Sequence, residues 1–123
     1  KGDWNGSGLH VNFSSHLTRY LGGESIFKSI CNQIGENHQR DILEYGENNH
    51  ERLTGLHETQ HIDKFTFGVS DRGASIRIPI STIEDGWRGY LEDRRPASNA
   101  DPYVLTQKIY QSLYDVENKL MVH

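Results

Sequence analysis

The chain has 123 residues, 13 Lys and Arg against 17 Asp and Glu for a formal net charge of −4, 34% apolar residues and a mean hydropathy of −0.73. That length suits one domain, no run of about 18 apolar residues exists to cross a bilayer, and the acidic balance argues against a nucleic-acid backbone recruited by bulk charge. Leu, Ile, Val and Phe make 29 residues, about 24%, above the level at which a chain stays disordered, so one folded unit with a thin core is expected.

In chain order, Gly8 to Ser14 alternates, with Leu9, Val11 and Phe13 on one side and His10, Asn12 and Ser14 on the other, which predicts a strand with a polar row. Gly22-Gly23 marks a turn. From Glu24 to Tyr45 the residues Ile26, Phe27, Ile30, Ile34, Ile42 and Leu43 recur at three- and four-residue steps, predicting one amphipathic helix stopped by Gly46. Arg52 to His57 reads as a short strand after a polar loop. Ser75 to Ile80 alternates, with Ile76, Ile78 and Ile80 on one face and Ser75 and Arg77 on the other, and Pro79 makes it an edge or a strand end. Tyr90 to Arg94, if extended, puts Tyr90, Glu92 and Arg94 on one face. Asp101 as N-cap and Pro102 at the first helical position start a terminal helix with the stripe Leu105, Ile109, Leu113, Val116 and Leu120. Together these predict an α+β fold: a curved, mainly antiparallel sheet with outer amphipathic helices.

The chemistry is concentrated in a few places. Five of the eight Arg (Arg72, Arg77, Arg88, Arg94 and Arg95) fall within 24 residues, suggesting a local anion site in an acidic protein. The single Cys31 excludes an intrachain disulfide and sits in a helical pattern as a packing residue. His57-Glu58-Thr59-Gln60-His61 fits the zinc-protease pattern H-E-x-x-H, but Gly55 and the strand-like residues before it argue against the helix that pattern needs. Glu92-Asp93-Arg94-Arg95, taken alone, reads as a surface salt-bridge cluster. His10 on a polar strand face gains meaning if a carboxylate such as Glu92 reaches it from another strand.

Four stretches in order carry more information than any one of them: Trp4-Asn5-Gly6-Ser7-Gly8-Leu9-His10-Val11-Asn12-Phe13-Ser14, Arg52-Leu53-Thr54-Gly55-Leu56-His57-Glu58-Thr59, Gly68 through Pro79, and Tyr90-Leu91-Glu92-Asp93-Arg94-Arg95-Pro96. They resemble the C-terminal part of the catalytic domain of glutamine synthetase in its eukaryotic-type (type II) branch, and the likeness covers nearly all of residues 1–123. The resemblance implies an ATP-dependent glutamate–ammonia ligase working through a γ-glutamyl phosphate. It further implies a cytoplasmic homo-oligomeric ring, a decamer in the full-length parent, with no nucleic-acid or membrane partner. The N-terminal β-grasp domain and the first catalytic half of that family are missing from this sequence, so the chain alone is expected to be inactive.

Residue by residue, the resemblance makes His10 and Glu92 ligands of a Mg²⁺ or Mn²⁺ ion that bridges the ATP phosphates. It places Trp4, Asn5, Gly6, Arg52, Arg72 and Arg94 against glutamate. Asn12, Phe13, Ser14, Arg72, Arg77, Tyr90, Leu91 and Glu92 are placed at the nucleotide, and Glu58, Arg94 and Arg72 take catalytic roles, Glu58 on a flap over the glutamate entrance. Val11, Ile80, Leu91 and Ser70-Asp71 depart from the animal form of the pattern without removing a ligand. Two other readings are a non-catalytic truncated relative that assembles with full-length subunits, and a γ-glutamyl ligase using another amine. The zinc protease is remote.

Overall fold

The computed structural model describes residues 8–56 and 59–121. Strand β1 (Val11–Phe13) leads through a π-helical turn (Leu17–Leu21) to helix α1 (Glu24–Glu36), α2 (His38–Ile42) and the short α3 (Asn49–Arg52). Strands β2 (Phe67–Val69) and β3 (Ile76–Ile78) follow, then α4 (Ile80–Glu84), β4 (Leu91–Asp93) and the long α5 (Pro102–Met121). The four strands form one sheet in the order β1-β4-β3-β2, antiparallel except for the parallel β2–β3 pair. No described helix is long and apolar enough to cross a membrane. The α+β architecture with a mainly antiparallel sheet and outer helices is therefore present.

One face of the sheet meets the helices. Phe13, Ile76, Ile78 and Leu91 from the strands share a core with Phe27, Ile30, Cys31 and Ile34 of α1 and Ile109 and Val116 of α5. A second cluster joins Ile42, Tyr45 and Leu53 to Ala100 and Leu105. Asp101 caps α5 as expected, its Oδ1 accepting from the Tyr103 N–H at 2.9 Å.

Several elements differ from the sequence reading. The helix from Glu24 to Tyr45 is interrupted at Asn37, where φ −92° and ψ 1° leave helical geometry and the side-chain amide donates to Ser112 Oγ at 2.9 Å. Past the break Leu43 no longer belongs to the stripe and is 82% exposed. The strand expected at Arg52 to His57 is absent over its described residues. Asn48 in the left-handed region (φ 58°) opens α3 instead, and Arg52 closes it. Pro79 ends β3, so Ile80 starts α4 and is 50% exposed instead of facing the core. Leu113 and Leu120 sit at the margin of the α5 stripe, whose buried line runs through Leu105, Ile109, Ser112 and Val116.

Candidate functional site

Register brings the polar row together. Asn12 pairs with Glu92 across β1–β4, and Arg77 pairs with Glu92 across β3–β4. Directly paired residues point to the same face, so Asn12, Glu92 and Arg77 form one line opposite the helices. His10 and Arg94 stand two residues along on the same side by strand alternation. Arg94 Nη1 donates to Glu92 Oε1 at 2.7 Å, and Arg77 Nη1 lies 3.8 Å from the same oxygen. Arg77 Nε is buried with no hydrogen-bond acceptor among the described residues. A carboxylate serving two guanidinium groups leaves net positive charge on this face, which suits an anion.

His10 is held below its ordinary pKa by burial first and then by Arg94, against the opposing pull of Glu92. Its imidazole is therefore neutral near pH 7, the form that donates a lone pair to a metal. Among the described residues no three His, Cys, Asp or Glu gather into a metal-sized group.

Arg52 is buried, and its Nη2 donates to three successive carbonyls: Arg94 at 3.1 Å, Arg95 at 2.6 Å and Pro96 at 2.9 Å. Asn49 Oδ1 accepts from its Nε at 3.1 Å. The α3 turn thus delivers a guanidinium that organises the chain leaving β4. Its Nη1 approaches Gly8 so closely that a Cβ there would stand 2.7 Å from it, with His10 Nε2 at 3.0 Å. Burial, and then Arg94, push the Arg52 pKa down to about 10, leaving it charged at neutral pH.

The remaining expected residues divide. Arg72 is exposed in the turn between β2 and β3. Phe13 and Leu91 turn their side chains into the core, while Ser14 Oγ accepts from Arg19 Nε at 2.7 Å. Tyr90 is half-buried and its carbonyl accepts from Thr82 Oγ1 at 2.9 Å. Trp4, Asn5, Gly6 and Glu58 lie outside the described residues, as do His57 and its place in the zinc pattern. Thr59 to His61 are not helical, and His61 Nδ1 accepts from the Asp63 N–H at 3.1 Å. Cys31 is fully buried, and burial pushes its thiol pKa up to about 12, consistent with a packing role.

Beneath this face lies an ionic layer that the sequence reading took for surface. Arg95 is 2% exposed and Asp93 fully buried. Arg95 Nε and Nη2 grip the two Asp93 oxygens at 2.9 Å each, Nη2 also reaches Tyr45 Oη at 3.1 Å, and Nη1 lies 2.9 Å from His38 Nδ1. Tyr45 Oη donates to Asp93 Oδ2 at 3.0 Å, and its ring stands 4.7 Å from the guanidinium carbon. Burial opposes the charge on Arg95, but Asp93 outweighs it and holds the pKa above the ordinary value. The sequence reading missed His38 and Tyr45, and it placed Asp93 and Arg95 at the surface although both are buried. The one available signal was Asp93 and Arg95 at i and i+2 on a strand whose other face already carried Glu92 and Arg94.

These features describe an α+β protein with a cationic sheet face suited to phosphate or carboxylate, carried on a buried ion-paired layer. Comparison with known proteins makes that class specific. The chain is 56% identical over 113 residues to a glutamine synthetase of Emericella nidulans, a match covering 92% of this chain and 31% of that protein. It is 47% identical over 114 residues to a glutamine synthetase of Bradyrhizobium diazoefficiens, covering 93% and 33%, and 50% identical over 112 residues to glutamine synthetase root isozyme 1 of Zea mays, covering 91% and 31%. No protein-family model matches the chain. The chain belongs to the glutamine synthetase family, in its eukaryotic-type branch, and spans about a third of the length of these relatives.

Proposed function

We propose that this chain is the C-terminal part of the catalytic domain of an ATP-dependent ligase that forms glutamine from glutamate and ammonia. The observation that carries this reading is the single line of Asn12, Glu92 and Arg77 with Arg94 bound to Glu92. In the proposed reaction an oxygen of the glutamate γ-carboxylate attacks the γ-phosphorus of ATP and ADP leaves. Ammonia then attacks the acyl carbon and phosphate leaves. The first step brings an anion against a polyanion, so guanidinium groups fixed in advance lower its barrier.

Arg94 is assigned to the γ-carboxylate and the phosphoryl group in flight, Arg77 and Arg72 to the nucleotide phosphates, and Arg52 to the glutamate α-carboxylate through the edge not held by carbonyls. Asn12, Ser14 and Tyr90 serve the nucleotide, and Phe13 and Leu91 contribute backbone there, their side chains being in the core. Trp4, Asn5 and Gly6 for glutamate, and Glu58 over its entrance and near the incoming ammonia, rest on sequence likeness alone. Mg²⁺ or Mn²⁺, when bound, neutralises phosphate charge. A neutral His10 imidazole and the Glu92 carboxylate are donors that fit such an ion, and phosphate, water and residues beyond those described would complete its shell. The parent protein is proposed to be a cytoplasmic ring-forming homo-oligomer, a decamer.

The test is a full-length glutamine synthetase carrying this sequence, assayed for glutamine formation with glutamate, ammonia, ATP and Mg²⁺. Arg94→Ala is expected to lower kcat roughly 100-fold while changing ATP affinity little. Unaltered turnover would sink the assignment.

A further inference from the structure

His38 stands where two parts of the chain meet. Its Nε2 lies 2.8 Å from the Ile62 carbonyl oxygen and its Nδ1 lies 2.9 Å from Arg95 Nη1. A carbonyl only accepts and a guanidinium only donates, so the ring carries its one proton on Nε2 and offers a lone pair at Nδ1. Ile62 also donates its N–H to the Leu53 carbonyl at 3.0 Å. Leu53 and Ile62 are thereby held together, and the His38 ring joins Ile62 to Arg95 on the chain leaving β4, beside the Arg52 guanidinium that holds the same stretch.

On its other side His38 faces the buried ion pair. Arg95 takes the lone pair, Asp93 and Asp41 are the carboxylates near it, and the Phe65 ring stands 5.6 Å away. Arg95 precedes Pro96 and follows Arg94, and the carbonyls of all three are gathered by Arg52. Arg95 is thus joined to Arg94 both through the chain and through the shared Arg52 guanidinium.

We propose that His38 is a positioning residue: one neutral imidazole ties the base of the Leu53–Ile62 segment to the end of β4 and sets where Arg94 stands on the site face. The proposal deepens the ligase reading and rests on it. Burial and Arg95 both hold the ring below its ordinary pKa, consistent with a lone pair that must stay free.

The two contacts can be separated chemically. An Asn amide reaches about as far as Nδ1 and a Gln amide about as far as Nε2. In a full-length glutamine synthetase carrying this sequence, His38→Asn keeps an acceptor for Arg95 and loses Ile62. His38→Gln keeps a donor to Ile62 and loses Arg95. The expected result is a split. His38→Gln lowers kcat for glutamine formation fivefold or more with slow amide exchange at Ile62 retained. His38→Asn keeps most of kcat but speeds that exchange and raises the KM for glutamate. A purely structural role would move both variants alike, and equal behaviour of the two, or unchanged kcat in both, overturns the proposal. Should His38→Ala fail to assemble, this pair still carries the test. If the exchange pattern splits as expected but the unsubstituted protein makes no glutamine, the ligase reading fails and the clamp stands.

Discussion

Arg95 and its neighbours show what a fully enclosed ion pair requires. Removing only the cation strands Asp93 in the interior with Tyr45 Oη and the backbone N–H of residue 95 as its remaining donors, so Arg95→Ala is expected to cost about 3–5 kcal/mol, read as a lower urea midpoint. Asp93→Asn combined with Arg95→Met should recover much of that, because it removes the stranded charge too. His38 gives a second prediction, with a definite sign. Its folded-state pKa lies below the ordinary imidazole value of 6.5, so the unfolded chain takes up a proton first as pH falls. Stability from this group is full above about 6.5 and declines below it until the folded pKa is passed. His10 adds in the same direction, while Asp41, whose pKa burial raises, acts in the opposite sense at lower pH. Urea midpoints between about pH 5 and 7 should flatten in His38→Gln; an unchanged slope counts against the buried neutral ring. At this scale the sequence exposed the outer charges, Glu92 and Arg94, through motif order. It hid Asp93 and Arg95, because burial of a charged pair is decided by Tyr45 and His38, distant in sequence and close only after folding.

Elements were legible where periodicity ran long. The stripe Ile26, Ile30 and Ile34 and the capped start at Asp101 both specify their helices, since each sums many positions. Strands β1, β3 and β4 lie within the alternating stretches that marked them, whereas β2 through Phe67, Gly68 and Val69 offers too short an alternation to separate it from loop. The break at Asn37 depends on Ser112 from α5, a contact no local pattern contains. Its packing consequence can be tested at Gly35, where a Cβ would meet the Phe65 ring at 2.8 Å. Gly→Ala in a helix gains up to about 1 kcal/mol from propensity, while overpacking costs about 1–3 kcal/mol. The ring is braced against His38 and Arg95, so Gly35→Ala is expected to destabilise by about 1 kcal/mol in chemical denaturation. A gain in stability would show that Phe65 moves aside freely.

The whole molecule presents much apolar surface for its size. Tyr103 at 83% exposure, Tyr20, Leu21, Leu56 and the stacked Tyr110 and Tyr114 all face outward, and β1 and β2 end the sheet with one side of each unpaired among the described residues. Exposed strand edges and aromatic surface favour association. The purified chain is therefore expected to run larger than a monomer in light scattering and to form no glutamine from glutamate, ammonia, ATP and Mg²⁺. A monodisperse monomer with robust turnover would be incompatible with that expectation.

The run Glu92-Asp93-Arg94-Arg95 reads acid, acid, base, base. Sliding it by one residue would exchange the Glu92–Arg94 pair for the Asp93–Arg95 pair and leave the formal charge of each face unchanged, so charge alone does not choose the register. Leu91, fully buried in the core, does, and side-chain length then suits each acid to its side. Asp93 is short enough to close on Arg95 within the interior, and Glu92 has the extra methylene that lets one oxygen approach both Arg94 and, across the sheet, Arg77. A single CH₂ group thus distinguishes the buried acid of this strand from the acid on its site face. Swapping the two acids would preserve composition and net charge while leaving the interior overfilled and the site a methylene short.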